Sequence, residues 1–174
     1  MISQIPINIF IFILILLFEV LFLSNIHVHP LISPIVYPLF ILLLPFQTPQ
    51  WIMMILGFTL GMTIDFFLGT LGMHAAVLVL IGYIRPTLIS LITPKGTEFE
   101  LSPNIYFQGF GWFVIYLTIS FFIAITSHFL IENGGLYNFG LLLLKIVIST
   151  TLSTFISILF LYIFSASKRR RHVK

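Results

Sequence analysis

Residues 51–92 read WIMMILGFTLGMTIDFFLGTLGMHAAVLVLIGYIRPTLISLI. Two apolar runs, 51–68 and 71–92, meet at Gly69 and Thr70. Each has the length a helix needs to cross hydrocarbon, roughly 17–25 residues. The pair reads as two consecutive membrane spans. In the first, Gly57, Gly61, Asp65 and Gly69 recur at four-residue spacing and fall on one slowly turning helical stripe. Gly57 and Gly61 form a GxxxG pattern, which lets a second helix backbone approach closely. The glycine face and the acid face coincide. Asp65 is therefore expected to point into protein rather than lipid, and this helix is expected to be central.

Four further apolar runs lie outside that stretch, at 5–23, 31–46, 112–131 and 139–164. The predicted fold class is an all-α polytopic membrane protein, with six transmembrane helices in one bundle over residues 1–167 and a basic tail at 168–174. The run 31–46 is short and carries Pro34, Pro38 and Pro45. Each proline removes an N–H and disfavours regular helix before it, so a broken or re-entrant segment competes with a full span there. The first run lacks a positive leading region, and its apolar stretch is too long for a cleavable signal peptide. Composition points the same way. Of 174 residues, 59% are hydrophobic and 7% are charged, about a quarter of the charged share of a soluble domain. A soluble globular protein is excluded, and the abundance of Phe, Ile and Leu excludes disorder. There is no Cys, which excludes disulfides, thiolate metal sites and a cysteine nucleophile.

The chain has 8 Lys and Arg against 5 Asp and Glu, and the excess sits in the tail. A nucleic-acid-binding surface is not indicated. Lys168, Arg169, Arg170 and Arg171 mark a cytoplasmic, membrane-surface tail by the rule that basic residues stay inside. Six spans then place both termini in the cytoplasm, and Arg85 and Lys95 fall on the same side. Trp51 and Trp112 open spans at that face, where indole rings favour the headgroup level. The loop 93–111 is amphipathic and reads as a surface connector or a partner-binding loop.

A charge in hydrocarbon costs at least ~2.5–3.5 kcal/mol, so the polar residues inside the runs are candidate functional or structural positions. Glu19, Asp65, His74, His128 and Lys145 all fall near the outer ends of their spans. Lys145 is expected to pair with Asp65 or Glu19. Lys145, Ser149, Ser153 and Ser157 share one stripe of the last span, as Ser120, Ala124 and His128 do of the fifth. Both stripes read as tight helix packing, with a polar conduit as the rival for the serine stripe. Arg85, before Pro86, is expected to snorkel to the inner headgroups. No catalytic constellation or phosphate-binding loop is apparent, and the expectation is a non-enzyme without cofactor. His27 and His29 with His128 or Glu132 make only a weak zinc pattern, so no metal is expected.

Residues 56–86, LGFTLGMTIDFFLGTLGMHAAVLVLIGYIRP, carry Gly-x-x-x-Asp followed by Leu71-Gly72-Met73-His74-Ala75-Ala76. With six runs, little soluble chain and a basic tail, the sequence resembles the bacterial rod shape-determining protein MreD family. The resemblance implies a scaffold subunit of the cell-elongation (rod) complex in the bacterial inner membrane. That role concerns cell shape and peptidoglycan synthesis. Its partners would be a bitopic MreC-like protein, MreB, RodZ, RodA, a class B penicillin-binding transpeptidase and membrane lipids. It also implies a fold like the S components of energy-coupling-factor transporters. The alternative function is thus a small-molecule-binding transporter subunit, its ligand held by Glu19, Asp65, His74 and Lys145. Against it, residues 9–23 of the first run read IFIFILILLFEVLFL and lack the small-residue docking pattern of S components.

Overall fold

In the computed structural model, which describes residues 5–21, 33–93, 109–132 and 139–169, all regular structure is helical. Six helices form, in chain order α1 (Ile5–Leu21), α2 (Pro38–Leu43), α3 (Gln50–Leu68), α4 (Met73–Ile92), α5 (Phe110–Glu132) and α6 (Phe139–Arg169). Four of them, α3 to α6, are long and apolar enough to cross a membrane. The six expected runs thus become six helices, of which four have clear spanning length. α1 has 17 residues, at the lower limit. α2 has six.

The departure at 31–46 has a local cause. Residues 33–36 are irregular, and the six-residue α2 follows. Pro38 stands in the first turn of α2, where a missing N–H leaves no hydrogen bond unmade. Leu44 precedes Pro45 and is driven out of the helical region to φ −57°, ψ 150°. The broken-segment alternative is therefore the better description of these residues. The segment is nevertheless deep in the protein: Val36, Tyr37, Leu39, Ile41 and Leu42 are fully buried.

α3 and α4 pack as a hairpin at close backbone approach, as the GxxxG pattern predicted, although α3, expected to be central, is the least buried of the four long helices. A Cβ on Gly61 would lie 2.3 Å from Ala75 Cα, and one on Gly57 would lie 2.9 Å from the Leu78 carbonyl oxygen. Gly82 of α4 repays the approach, its Cβ position lying 3.2 Å from Met53. Matched pairs of early with late residues make the two helices antiparallel. The turn between them uses Gly69 at φ 68° and Gly72 at φ 78°, left-handed conformations that favour glycine. α4 then packs on α5 and α5 on α6, while α1 lies against α2 and α3. Large apolar side chains such as Phe58, Phe66 and Phe155 are exposed on the outside, as lipid-facing surfaces require.

α4 continues through Pro86 to Ile92, and α6 runs past the expected end at 164 to Arg169. His27, His29, most of the loop 93–111 and Arg170 to Lys174 lie outside the described residues.

Candidate functional site

A non-helical segment at membrane depth leaves backbone N–H and C=O groups that lipid cannot satisfy. The irregular residues 33–37 and the ends of the short α2 leave such groups, and Glu19 and Arg85 of the neighbouring helices converge on them. At the incoming end the groups to be satisfied are N–H donors. Glu19 of α1 accepts through Oε2 from Val36 N at 3.0 Å and Tyr37 N at 3.1 Å. Ser153 Oγ of α6 accepts from Ile35 N at 2.9 Å, and Ser149 Oγ from Ser33 N at 3.3 Å. At the outgoing end the groups are carbonyls, and the partners are donors. Arg85 Nη2 donates to the Leu42 carbonyl at 3.3 Å and also to the Leu44 carbonyl. Tyr116 of α5 donates its hydroxyl to the Leu42 carbonyl at 3.2 Å and accepts from Arg85 Nε at 3.0 Å. Arg85 Nη1 completes the set on Met53 Sδ at 2.9 Å. Glu19 and Arg85 thus flank α2 in the order its dipole favours, acid before base.

Arg85 therefore does not snorkel. It is 1% exposed, and among the described residues no carboxylate pairs with it. The ring of Phe46 lies 5.8 Å from its guanidinium carbon. Backbone carbonyls, a phenol, a thioether and an aromatic face solvate this cation.

Asp65 and His74, expected in one polar cluster, do meet. Asp65 Oδ1 accepts from His74 N at 3.1 Å and lies 2.8 Å from His74 Nδ1. It also accepts from the Thr70 hydroxyl. Asp65 Oδ2 accepts from Ala75 N at 3.0 Å. The last residue stripe of α3 thereby caps the first turn of α4, where free N–H groups and the helix dipole attract an anion. His74 stands edge-on to Tyr37, ring centroids 5.1 Å apart, and to His128 at 5.2 Å. The Tyr37 hydroxyl is hydrogen-bonded to His128 Nδ1 at 3.1 Å. Since the Tyr37 N–H belongs to Glu19, the Glu19 and Asp65 groups are neighbours.

Lys145 is the correction to that cluster. Its ammonium does not pair with Asp65 or Glu19. It lies 3.5 Å from Glu132 Oε2 and 4.2 Å from the Phe129 ring centroid. Lys145 sits near the start of α6 and Glu132 at the end of α5, so the pair closes the rim of a hairpin. The serine stripe also divides. Ser149 and Ser153 hold the segment 33–35, whereas the buried hydroxyls of Ser157, Thr150 and Thr154 have no hydrogen-bond partner among the described residues. Lys168 and Arg169, expected at the membrane surface, fall on the last turn of α6.

Sequence reasoning missed Tyr37, Tyr116 and Thr70, and took His128 for packing. The one available signal was the proline-broken run itself, which announces orphan backbone groups and hence buried partners for them. Chemically, the arrangement anchors backbone. Among the described residues, no group of three or more His, Asp or Glu side chains is placed to hold a metal ion. No family model matches the chain, and neither a curated protein nor a solved structure matches it.

Proposed function

We propose that this chain is a non-enzymatic membrane scaffold, an MreD-like subunit of the bacterial cell-elongation complex. It lies in the inner membrane with both termini cytoplasmic. One observation carries the scaffold reading: the buried charges Glu19, Asp65 and Arg85 are engaged by the chain's own backbone. Such groups fix a rigid bundle rather than await a substrate. What the bundle then offers is its outer surface. Helices associate in lipid through van der Waals packing and interhelical hydrogen bonds, since lipid removes the hydrophobic drive. An MreC-like bitopic partner would lay its single membrane helix on that surface, and the basic tail would add contact with anionic lipid. Polymerase, transpeptidase and filament would join through the partner.

The test is purification of the tagged protein from native membranes in mild detergent, with partners identified by mass spectrometry. Recovery of a bitopic coiled-coil protein with glycan polymerase and transpeptidase is expected. Recovery of a cytoplasmic ATPase pair with a coupling subunit would overturn the reading in favour of a transporter, with Glu19, Asp65 and His74 as its ligand site.

A further inference from the structure

Ser149, Ser153 and Ser157 follow one another at four-residue spacing on α6. The first two reach the entering segment at every second residue, Ser33 N at 3.3 Å and Ile35 N at 2.9 Å. The next step of that register is Ser157 at Tyr37. The Tyr37 N–H, however, is already given to Glu19 Oε2 at 3.1 Å, as is that of Val36 at 3.0 Å. The register thus brings Ser157 to the Glu19 carboxylate and leaves it no amide. Its Oγ is buried without a hydrogen-bond partner among the described residues, and so is Thr154 Oγ1, one turn before it. A hydroxyl on a membrane helix commonly bonds back to the carbonyl four residues earlier. Thr59, Thr63, Ser120, Ser127 and Thr151 do so at 2.7–2.9 Å. Thr154 and Ser157 forgo it. α1 lies against this part of α6, with the Phe18 and Phe160 ring centroids 6.3 Å apart.

Glu19 is 4% exposed, Thr154 7% and Ser157 0%. Among the described residues no Lys, Arg or His stands within ion-pair distance of Glu19, and an uncompensated charge at membrane depth is costly. We propose that Glu19, Thr154 and Ser157 bind one sodium ion where α1, α6 and the entering segment meet. The carboxylate supplies the counter-charge, the two hydroxyls supply neutral oxygens, and water completes the shell. Oxygen donors of this kind suit a hard cation. One carboxylate balances a monovalent ion, whereas a divalent ion would leave net positive charge inside the bundle. Broken membrane segments recur at such ion sites, because an unbroken helix has no irregular backbone to place beside the ion. The ion ties α1 to α6 across residues 35–37, independently of what binds the outer surface of the bundle.

The probe is Na+ itself. Thermal unfolding of the full-length protein is followed in mild detergent at about pH 8.5, which favours the ionised carboxylate, while sodium chloride replaces choline chloride at constant ionic strength. The midpoint is expected to climb with the logarithm of Na+ concentration, since a ligand of the folded state stabilises it by mass action. Radioactive sodium should bind the same protein in saturable fashion. Glu19→Gln should abolish the climb. Ser157→Ala should weaken it, yet in choline alone S157A should melt at or above wild type, because an unpartnered buried hydroxyl is lost. Ser90→Ala, which removes an exposed hydroxyl bonded to the Thr87 carbonyl, should leave the climb intact. If E19Q does not fold, as judged by gel filtration, S157A alone is read, by the weaker binding of radioactive sodium. A midpoint indifferent to Na+, an undiminished response in whichever variant is read, or a response that S90A removes would each overturn the site.

Discussion

Arg85 and Glu19 show how single charges are tolerated where hydrocarbon penalises them. Neither is matched by an opposite charge among the described residues, and both are matched by backbone. Hydrogen bonds to a charged group contribute about 1.5–3 kcal/mol each, and an orphaned buried partner costs a similar amount. Arg85→Met retains bulk but strips donors from the Leu42 and Leu44 carbonyls. It is expected to destabilise the protein by about 1–3 kcal/mol for each carbonyl left without its donor. Arg85→Lys should recover part of that, because a point charge replaces a planar fork. Thermal unfolding in detergent reads both, and an R85M midpoint equal to wild type would show that the carbonyls find other donors. Glu19 gives the complementary case. Glu19→Gln keeps a carbonyl oxygen for the Val36 and Tyr37 N–H groups, whereas Glu19→Leu keeps nothing. The loss for E19L should exceed that for E19Q by about 1–3 kcal/mol; equal losses would mean that the negative charge matters more than the acceptor.

At the scale of elements, the α3–α4 hairpin is held by close backbone approach and by the Asp65 cap. The three glycines at its interface are not equivalent. A methyl on Gly61 meets Ala75 backbone at 2.3 Å, on Gly57 meets the Leu78 carbonyl at 2.9 Å, and on Gly82 meets Met53 at 3.2 Å. Backbone cannot swing aside as a side chain does, so G61A must part the helices. The expected order of destabilisation is G61A, then G57A, then G82A, with G61A above the roughly 1–3 kcal/mol typical of overpacking. A melting series in a different order would place the closest contact elsewhere. Asp65→Ala should unlatch the turn and impair assembly with the partner; full recovery of the complex in that variant would reduce Asp65 to packing. This hairpin was the most legible part of the sequence, because glycine spacing and the phase of Asp65 are properties of one helix. The segment 31–46 was half legible. Its prolines announce broken helix, but which residues satisfy the freed backbone depends on how α1, α4, α5 and α6 are placed around it. The same dependence hid the destination of Arg85. Lys145 was misassigned by depth alone. Its partner Glu132 ends the preceding helix, and the short α5–α6 connection was the cue for that pairing.

For the whole molecule, contacts fix the direction of every element. Gly61 against Ala75 with Gly82 against Met53 sets α3 and α4 antiparallel. His74 against His128 and Thr93 against Trp112 do the same for α4 and α5. Lys145 with Glu132 reverses α6 on α5. Glu19 with Val36 and Phe12 against Phe40 reverse the entering segment on α1, and Ser33 with Ser149 and Ile35 with Ser153 run that segment parallel to α6. The start of α1 and the end of α6 therefore lie at one end of the bundle. That end carries Trp51 and Trp112, and Lys168 and Arg169 lie in the last turn of α6. If positive charge holds that end in the cytoplasm, reversing Lys168 to Arg171 to acidic residues removes an attraction to anionic lipid of ~1 kcal/mol per residue near the surface. Because the chain has no cysteine, single cysteines placed before α1 and after α6 report the outcome directly. In intact cells both are expected to resist a membrane-impermeant maleimide and to react only after permeabilisation. In the charge-reversed protein a fraction of chains should expose both together, since the bundle can turn over only as a unit. Labelling of one end without the other would contradict the directions of the helices. Unchanged protection and abundance in the reversed variant would remove the tail from the control of orientation.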